Sequence, residues 1–531
     1  MIQNTVEIST LISLSRQCQT LNQLKQIHVH LLKSHLHQNP YAIAPLLSVA
    51  ATSKDASFFS YARSIFEHLC YRNTFMYNTM IRRHVQSASP ILAILCYFDM
   101  LNNGLVANNY TFPPLIKACT VLVPFSKKRI LGRLVHAHVV KFGFRDDPFV
   151  VSALIEYYSV VHDLGTARLL FDRTPKKDVV MWTALIDGYG KVGDVANARL
   201  LFEEMPVRNV ISWSAIMAAY SRVSDFKEVL SLFRKMQEAG IKPNESVLVS
   251  ALTACAHLGA VAQGLWIHSY AKQHNLESNP ILATALVDMY SKCGCVESAL
   301  SVFESIPDKD AGAWNAMISG VAMNGDARKS LDLFNRMATT GTQPTNTTFV
   351  VVLTACTHAK MVAEGLKLFE QMGTIYRVEP RLEHYACVVD LLARAGMIEE
   401  AEKFIEEKMG GLGRGDANVW GALLGASRVY GNIEVGDRVW KRLTGMGVVD
   451  SGTSVLSYNI YREAGWDMEA KKVRKTISEA GMKKQPGCSV IEVSGKVEEF
   501  LAGDLCHPRA QEICKMLDSF SKIMNLDDSV K

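Results

Sequence analysis

The sequence repeats itself at two nested intervals, and no other property restricts the possible folds as much. Trp182 and Trp213 stand 31 residues apart, and Trp213 and Trp314 stand 101 apart. TACA at 253–256 returns as TACT at 354–357, again after 101 residues. That interval divides into steps of 35, 35 and 31, so a three-unit cycle overlies a shorter repeat. Whole phrases agree across the cycle: GYGKVGDVANARLLFEEMP at 188–206 matches MYSKCGCVESALSVFESIP at 289–307. Tandem units of roughly 30 to 40 residues indicate a solenoid, because one unit cannot bury its apolar face without a neighbour.

Each unit reads as two helices. In 179–209, Trp182, Leu185, Ile186 and Tyr189 recur at helical spacing, and Gly193-Asp194 turns the chain. Val195, Ala198, Leu201, Phe202 and Met205 then form a second apolar stripe. The β-branched residues are too dispersed for a sheet, so the expected fold is all-α. It is a right-handed superhelical solenoid of tandem antiparallel helical hairpins. The clearest units are 74–108, 109–147, 148–178, 179–209, 210–244, 245–279, 280–310, 311–345, 346–381 and 382–416. A degenerate unit occupies 40–73. Residues 1–39 read as a worn repeat and a possible targeting segment, with Glu7 the one acid among hydroxyl-bearing residues. Unit 109–147 is expanded near VPFSKKRI, and unit 382–416 near MGGLGRGD.

Composition removes several classes. A hydrophobic content of 48% excludes general disorder, and a formal charge of +5 over 531 residues permits a polyanionic partner without requiring one. The 12 cysteines are too few for a disulfide scaffold, and Cys293-x-Cys295 has no second pair at zinc spacing. No cofactor or metal is expected. No uncharged apolar stretch reaches membrane-spanning length, so no membrane partner is expected either.

Period, supercycle and the words YNTMI, WTALIDGY, WSAIMAAY, KCG, LFEEMP and GIKPN together resemble plant pentatricopeptide repeats of the PLS type. The resemblance covers 40–493. It implies an α-solenoid that binds single-stranded RNA in mitochondria or plastids. Mitochondrion is the reading taken, with chloroplast the alternative. Residues 417–436 and 451–493 resemble the two E-type extension motifs, read as helical hairpins over 417–493. The stretch SGKVEEFLAGDLCHPRAQEI resembles the E+ segment that usually leads into a cytidine-deaminase-like DYW domain, giving a short tail over 494–531.

That deaminase domain is expected to be absent. Zinc deamination needs a ligand His, a Glu two residues on, and a Cys-x-x-Cys pair. None of the 15 histidines has Glu at the second following position, and no Cys-x-x-Cys occurs. The chain is therefore expected to be no enzyme. It would recognise RNA, while a DYW-type deaminase or another editing-complex protein acts in trans.

By the same resemblance, the fifth and last residues of a unit specify one base. Asn at the fifth position implies a pyrimidine, and Ser or Thr a purine. A last Asp implies G or U, and a last Asn implies A or C. Ionised Asp offers only acceptors and needs the ring N–H of G or U, whereas Asn can donate to the ring acceptor of A or C. Asn78 with Asn108 implies C, Ser152 with Asp178 implies G, and Thr183 with Asn209 implies A. Ser214 with Asn244 implies A, Thr284 with Asp310 implies G, and Asn315 with Thr345 implies a pyrimidine. Pro113 and Val249 leave their bases unspecified. The expected target contains 5′-C-N-G-A-A-N-G-Y-3′. Second residues Phe75, Phe149, Val180, Ile211 and Ile281 would wall the bases, while Gly312 supplies no wall. A competing reading makes the Ser and Thr residues helix caps or partners of their own backbone.

Trp182, Trp213 and Trp314 read as packing residues. Arg82, Arg83, Lys127, Lys128, Arg129, Lys191, Arg222, Lys292, Lys471 and Lys472 are the basic candidates, and Lys191 and Lys292 stand where they could reach phosphate. The function expected is a specificity factor for C-to-U editing of an organellar transcript. The alternatives are an RNA stabilisation, splicing or translation factor, and a protein-binding helical-repeat scaffold.

Overall fold

Unit ends are written by Asn, Asp and a basic neighbour. Asn73, Asp147, Asp178 and Asn209 each leave the helical backbone, and their side-chain oxygens accept N–H groups of the helix that follows. Such caps satisfy donors that a helix start leaves open. Before Asn73, Asp178, Asn209 and Asp310 a basic residue closes the preceding helix. Arg72 Nε donates to the Phe66 carbonyl and Arg208 Nε to that of Phe202, both at 2.9 Å. Lys177 Nζ reaches the Thr174 carbonyl at 3.0 Å, and Lys309 Nζ that of Ile306 at 2.7 Å. The same cations lie over the rings of Phe66, Phe202, Phe171 and Phe303 at 4.8–5.1 Å.

The computed structural model describes residues 13–14, 17–18, 20–53, 55–122, 129–409, 417–447, 449–479, 488–493, 496–501 and 508–528. Residues 1–12 of the possible targeting segment, residues 123–128 with Lys127 and Lys128, and the Gly-rich 410–416 lie outside them.

Two compact bodies are present, Met1–Asp225 and Phe226–Lys531. In the first, hairpins pair Thr74–Gln86 with Pro90–Asn102, Pro148–Val160 with Leu164–Arg173, and Val179–Lys191 with Val195–Glu204. Within this body each first helix up to Val179–Lys191 also packs on the first helix of the next unit. In the second body, Glu245–Leu258, Pro280–Lys292, Ala311–Met323, Asn346–His358, Leu382–Arg394, Ala417–Val429 and Ser451–Glu463 form the same succession. Buried stripes join the layers. Trp182, Trp213 and Trp314 are buried edge-to-face on Phe171, Phe202 and Phe303, with centroids 4.7, 4.8 and 4.9 Å apart. They pack the hairpins, as their spacing predicts.

Glycine serves two purposes in 179–209. Gly193 turns the chain at φ +80°, a backbone conformation that side chains disfavour. Gly190 lets neighbouring first helices touch, since a Cβ there would come 2.5 Å from that of Ala219.

The all-α class holds for the array, and a short β ribbon follows it. The helical reading of 451–493 ends with the helix Asp467–Glu479. Cys488–Val493 (β1) instead pairs antiparallel with Lys496–Leu501 (β2), Val493 opposite Lys496 and Cys488 opposite Leu501. SVIEV and KVEEF concentrate β-branched and aromatic residues in a run too short for a stable helix. The helix Ala510–Asp528 follows. Among the described residues, no helix is long and apolar enough to cross a membrane.

Candidate nucleic-acid interface

Capping and base reading do not exclude one another, because one side-chain atom serves each. A backbone N–H can only donate, so the side-chain atom it meets must be oxygen. Asp178 gives one carboxylate oxygen to Met181 N at 2.8 Å and keeps the other outside the cap. Asn209 Oδ1 accepts from Ile211 N and Ser212 N, both at 3.0 Å, which leaves its Nδ2 donors for another partner. Asn108, Asn244 and Asp310 likewise hold Tyr110 N, Val247 N and Ala313 N at 3.1, 3.1 and 2.8 Å. Thus a capping Asn displays donors and a capping Asp displays an acceptor. Thr345 differs: its hydroxyl caps Thr348 N at 3.3 Å and lies 3.1 Å from Thr348 Oγ1, so little remains to offer.

Two of the expected pairs are joined directly. Asn78 Nδ2 donates to Asn108 Oδ1 at 2.9 Å, and Ser152 Oγ donates to Asp178 Oδ2 at 3.0 Å. Others are not. Thr183 donates to the carbonyls of Val179 and Val180 at 2.9 and 3.1 Å rather than bonding Asn209, so outward its oxygen is an acceptor. Thr284 is half-buried, and Asp310 meets Ala313 N rather than Thr284. Asn315 Oδ1 is buried without a hydrogen-bond partner. Ser214 lies on Val210–Arg222 of the first body, and Asn244 caps Glu245–Leu258 of the second.

The second residues stand clear of the core. Phe75, Phe149, Val180, Ile211 and Ile281 range from 53% exposed at Phe75 to 72% at Phe149. Apolar side chains rarely remain this open at matching places unless another surface covers them. Tyr41 and Tyr110 hold the same place in units 40–73 and 109–147 and are also exposed. The sequence reading passed over both, although the unit register marks them. Tyr110 and Arg82 line two clefts. One, of about 380 Å³, also contains Phe75, Asn78 and Asn108; the other, of about 580 Å³, contains Phe149, Ser152, Asp178 and Val180.

The cations divide into two groups. Arg82 is exposed at both clefts, and Lys117 lines the second. Lys191 and Lys292, expected within reach of phosphate, are held instead by Asp187 and Asp288 four residues earlier, at 2.6 and 2.8 Å. Arg222 also pairs with Asp187, at 3.2 Å. Arg83 lies over the Phe59 ring, and Lys471 and Lys472 are exposed. Arg129 opens the helix Arg129–Lys141.

A curated relative from Arabidopsis thaliana, pentatricopeptide repeat-containing protein At5g66520, is 46% identical over 499 residues, covering 94% of this chain and 79% of the relative. The chain belongs to the pentatricopeptide repeat proteins. Its PPR repeat matches fall at 75–105, 180–210, 282–310, 347–374 and 383–409, and PPR repeat family matches at 208–257 and 309–358. An E motif matches 430–492, consistent with the E subgroup of PLS-type pentatricopeptide repeat proteins. A second Arabidopsis thaliana pentatricopeptide repeat protein, At2g42920, chloroplastic, is 43% identical over 515 residues, spanning 97% of this chain and 90% of the relative. Among solved structures, the pentatricopeptide repeat protein PPR10 from maize superposes with a TM-score of 0.54 at 16% identity, covering 89% of this chain and 79% of PPR10. That likeness is one of fold.

Proposed function

We propose that this pentatricopeptide repeat protein binds single-stranded RNA and reads successive bases with the fifth and last residues of its units. The carrying observation is the pair Ser152–Asp178, bonded at 3.0 Å beside exposed Phe149 and Val180. An unstacked base fits between such walls, since aromatic and apolar faces hold any base while polar atoms select one. The Asp178 carboxylate suits the ring N–H and amine of guanine. At Thr183 and Asn209 the order is reversed: an acceptor oxygen and donor Nδ2 groups match the amine and ring nitrogen of adenine. Units 74–345 then read 5′-C-N-G-A-A-N-G-Y-3′, and Arg82 and Lys117 supply cations for the backbone.

The E motif match at 430–492 supports an editing role over one of covering RNA. In this reading the protein specifies a C-to-U editing site in an organellar transcript and recruits a DYW-type deaminase in trans. The compartment is a mitochondrion or a chloroplast; the relative At2g42920 is named chloroplastic. Loss of the protein should leave one cytidine unedited a few nucleotides 3′ of the string, as seen by sequencing organellar transcripts. Full editing with altered transcript ends would favour a stabilising factor instead.

A further inference from the structure

We infer that Thr111, which belongs to neither base-reading position, sets the hydrogen-bond polarity of the cytosine site formed by Asn78 and Asn108. Thr111 is fully buried, and its Oγ1 sits at the centre of a closed set of contacts. Asn108 N donates to Thr111 Oγ1 at 3.1 Å. The hydroxyl proton therefore points away from that N–H. Asn78 Oδ1 lies 2.8 Å off and Asn108 Oδ1 3.1 Å off, so the shorter bond runs to Asn78.

The rest of the set runs in the same direction. Tyr110 N donates to Asn108 Oδ1 at 3.1 Å, which makes that atom the oxygen of the amide. The Asn78 atom facing it at 2.9 Å must then be Nδ2, the donor. Asn78 Oδ1 is left facing Thr111, whose hydroxyl supplies it a proton. Both amides are thereby locked in one orientation. Asn108 Nδ2, with both its hydrogens, is absent from the set and remains for a ligand.

A displayed donor fits the unprotonated ring nitrogen of cytosine and opposes the ring N–H of uracil. An Asn pair free to rotate would accept either pyrimidine. Thr111 holds the Asn78 half of this lock, as the Tyr110 N–H holds the Asn108 half, and it does so without touching RNA, so it is a positioning residue. Third-position hydroxyls elsewhere do not act this way. Ser212 Oγ donates to the Asn209 carbonyl at 2.8 Å, and Thr348 faces Thr345, within their own caps.

This inference rests on the proposed reading of Asn78 and Asn108. Its test is the dissociation constant of the full chain for four RNAs carrying 5′-X-N-G-A-A-N-G-Y-3′ with X varied. Wild type should prefer C over U. Thr111→Val, which keeps the shape and removes the hydroxyl, should lower that C-to-U ratio roughly three- to tenfold, the scale of one hydrogen bond. Thr111→Ser should retain the ratio. Selectivity for G at the third nucleotide should stay unchanged in both variants, which a general loss of folding would not allow. An unchanged C-to-U ratio in Thr111→Val, with wild type selective, overturns the role of Thr111 alone. Equal binding of all four RNAs by wild type overturns the pair reading and this inference with it.

Discussion

Asp178→Asn should exchange the base preferred at the third nucleotide of the string from guanine to adenine. Met181 N, 2.8 Å from the Asp178 carboxylate, must continue to meet an oxygen. The new amide satisfies it with Oδ1 and places Nδ2 where the second carboxylate oxygen stood. A donor then replaces an acceptor opposite the ring nitrogen of the purine, while Ser152 can accept from the amide. The ring N–H of guanine is opposed, and the ring nitrogen of adenine is matched. Affinity for the guanine RNA should fall roughly ten- to a hundredfold, the range for a wrong base against a paired contact. Stability should hardly move, because Asn and Asp cap helices about equally well. Binding constants on RNAs carrying G or A at that nucleotide decide the matter. An unaltered preference would place Asp178 in the cap and nowhere else.

Trp314→Ala should produce the largest loss of stability. The Trp314 ring is 1% exposed, packs edge-to-face on Phe303 at 4.9 Å, and lies 5.7 Å beneath the Arg336 guanidinium. Arg336 is itself held by Glu304 at 2.6 Å, so the ring closes the joint between consecutive hairpins. Removing it opens a cavity and ends both ring contacts, a loss of about 3–5 kcal/mol. In a repeat array each unit leans only on its neighbours, so the effect should stay local. Denaturant unfolding should show the units around 311–345 melting early, with guanine selectivity at Asp178 intact. A loss below about 0.5 kcal/mol, the scale of an ordinary surface substitution, would mean that the ring is not a core group.

The hairpins were legible because two helical stripes and a turn recur at a fixed interval, and tryptophans at equivalent places have equivalent neighbours. Cap positions were legible for the same reason. What each capping atom does was not, because sequence does not say which oxygen a backbone N–H takes. Thr183 shows the limit: the same place holds a serine bonded to the next cap in one unit and a threonine bonded to its own helix in the next. The ion pairs of Lys191 and Lys292 were passed over for a simpler reason. Asp187 and Asp288 stand four residues before them, on the same helix face, where opposite charges meet. Tyr110 carried its signal in the unit register, but its unit lacks a polar fifth residue and drew no attention. The β ribbon lay beyond the repeat, where periodicity gives no guidance and only local β preference remains.

The exposed walls also explain why base selectivity need not come with strong charge. In the proposed reading Phe149, Val180 and Ile211 offer apolar area to any base, and Asp187 and Asp288 pair with Lys191 and Lys292 on their own helices. Fewer free cations release fewer counterions, so binding should lean on the bases more than in a strongly basic protein.

The most direct measurement is a set of dissociation constants for RNAs differing only at the fourth nucleotide, with wild type and with Thr183→Ala combined with Asn209→Ala. Wild type should prefer adenine, and the double variant should lose about 1–3 kcal/mol of that discrimination while keeping its preferences at every other nucleotide. Equal weakening on all RNAs would contradict the account, because Thr183 and Asn209 would then serve the helices alone.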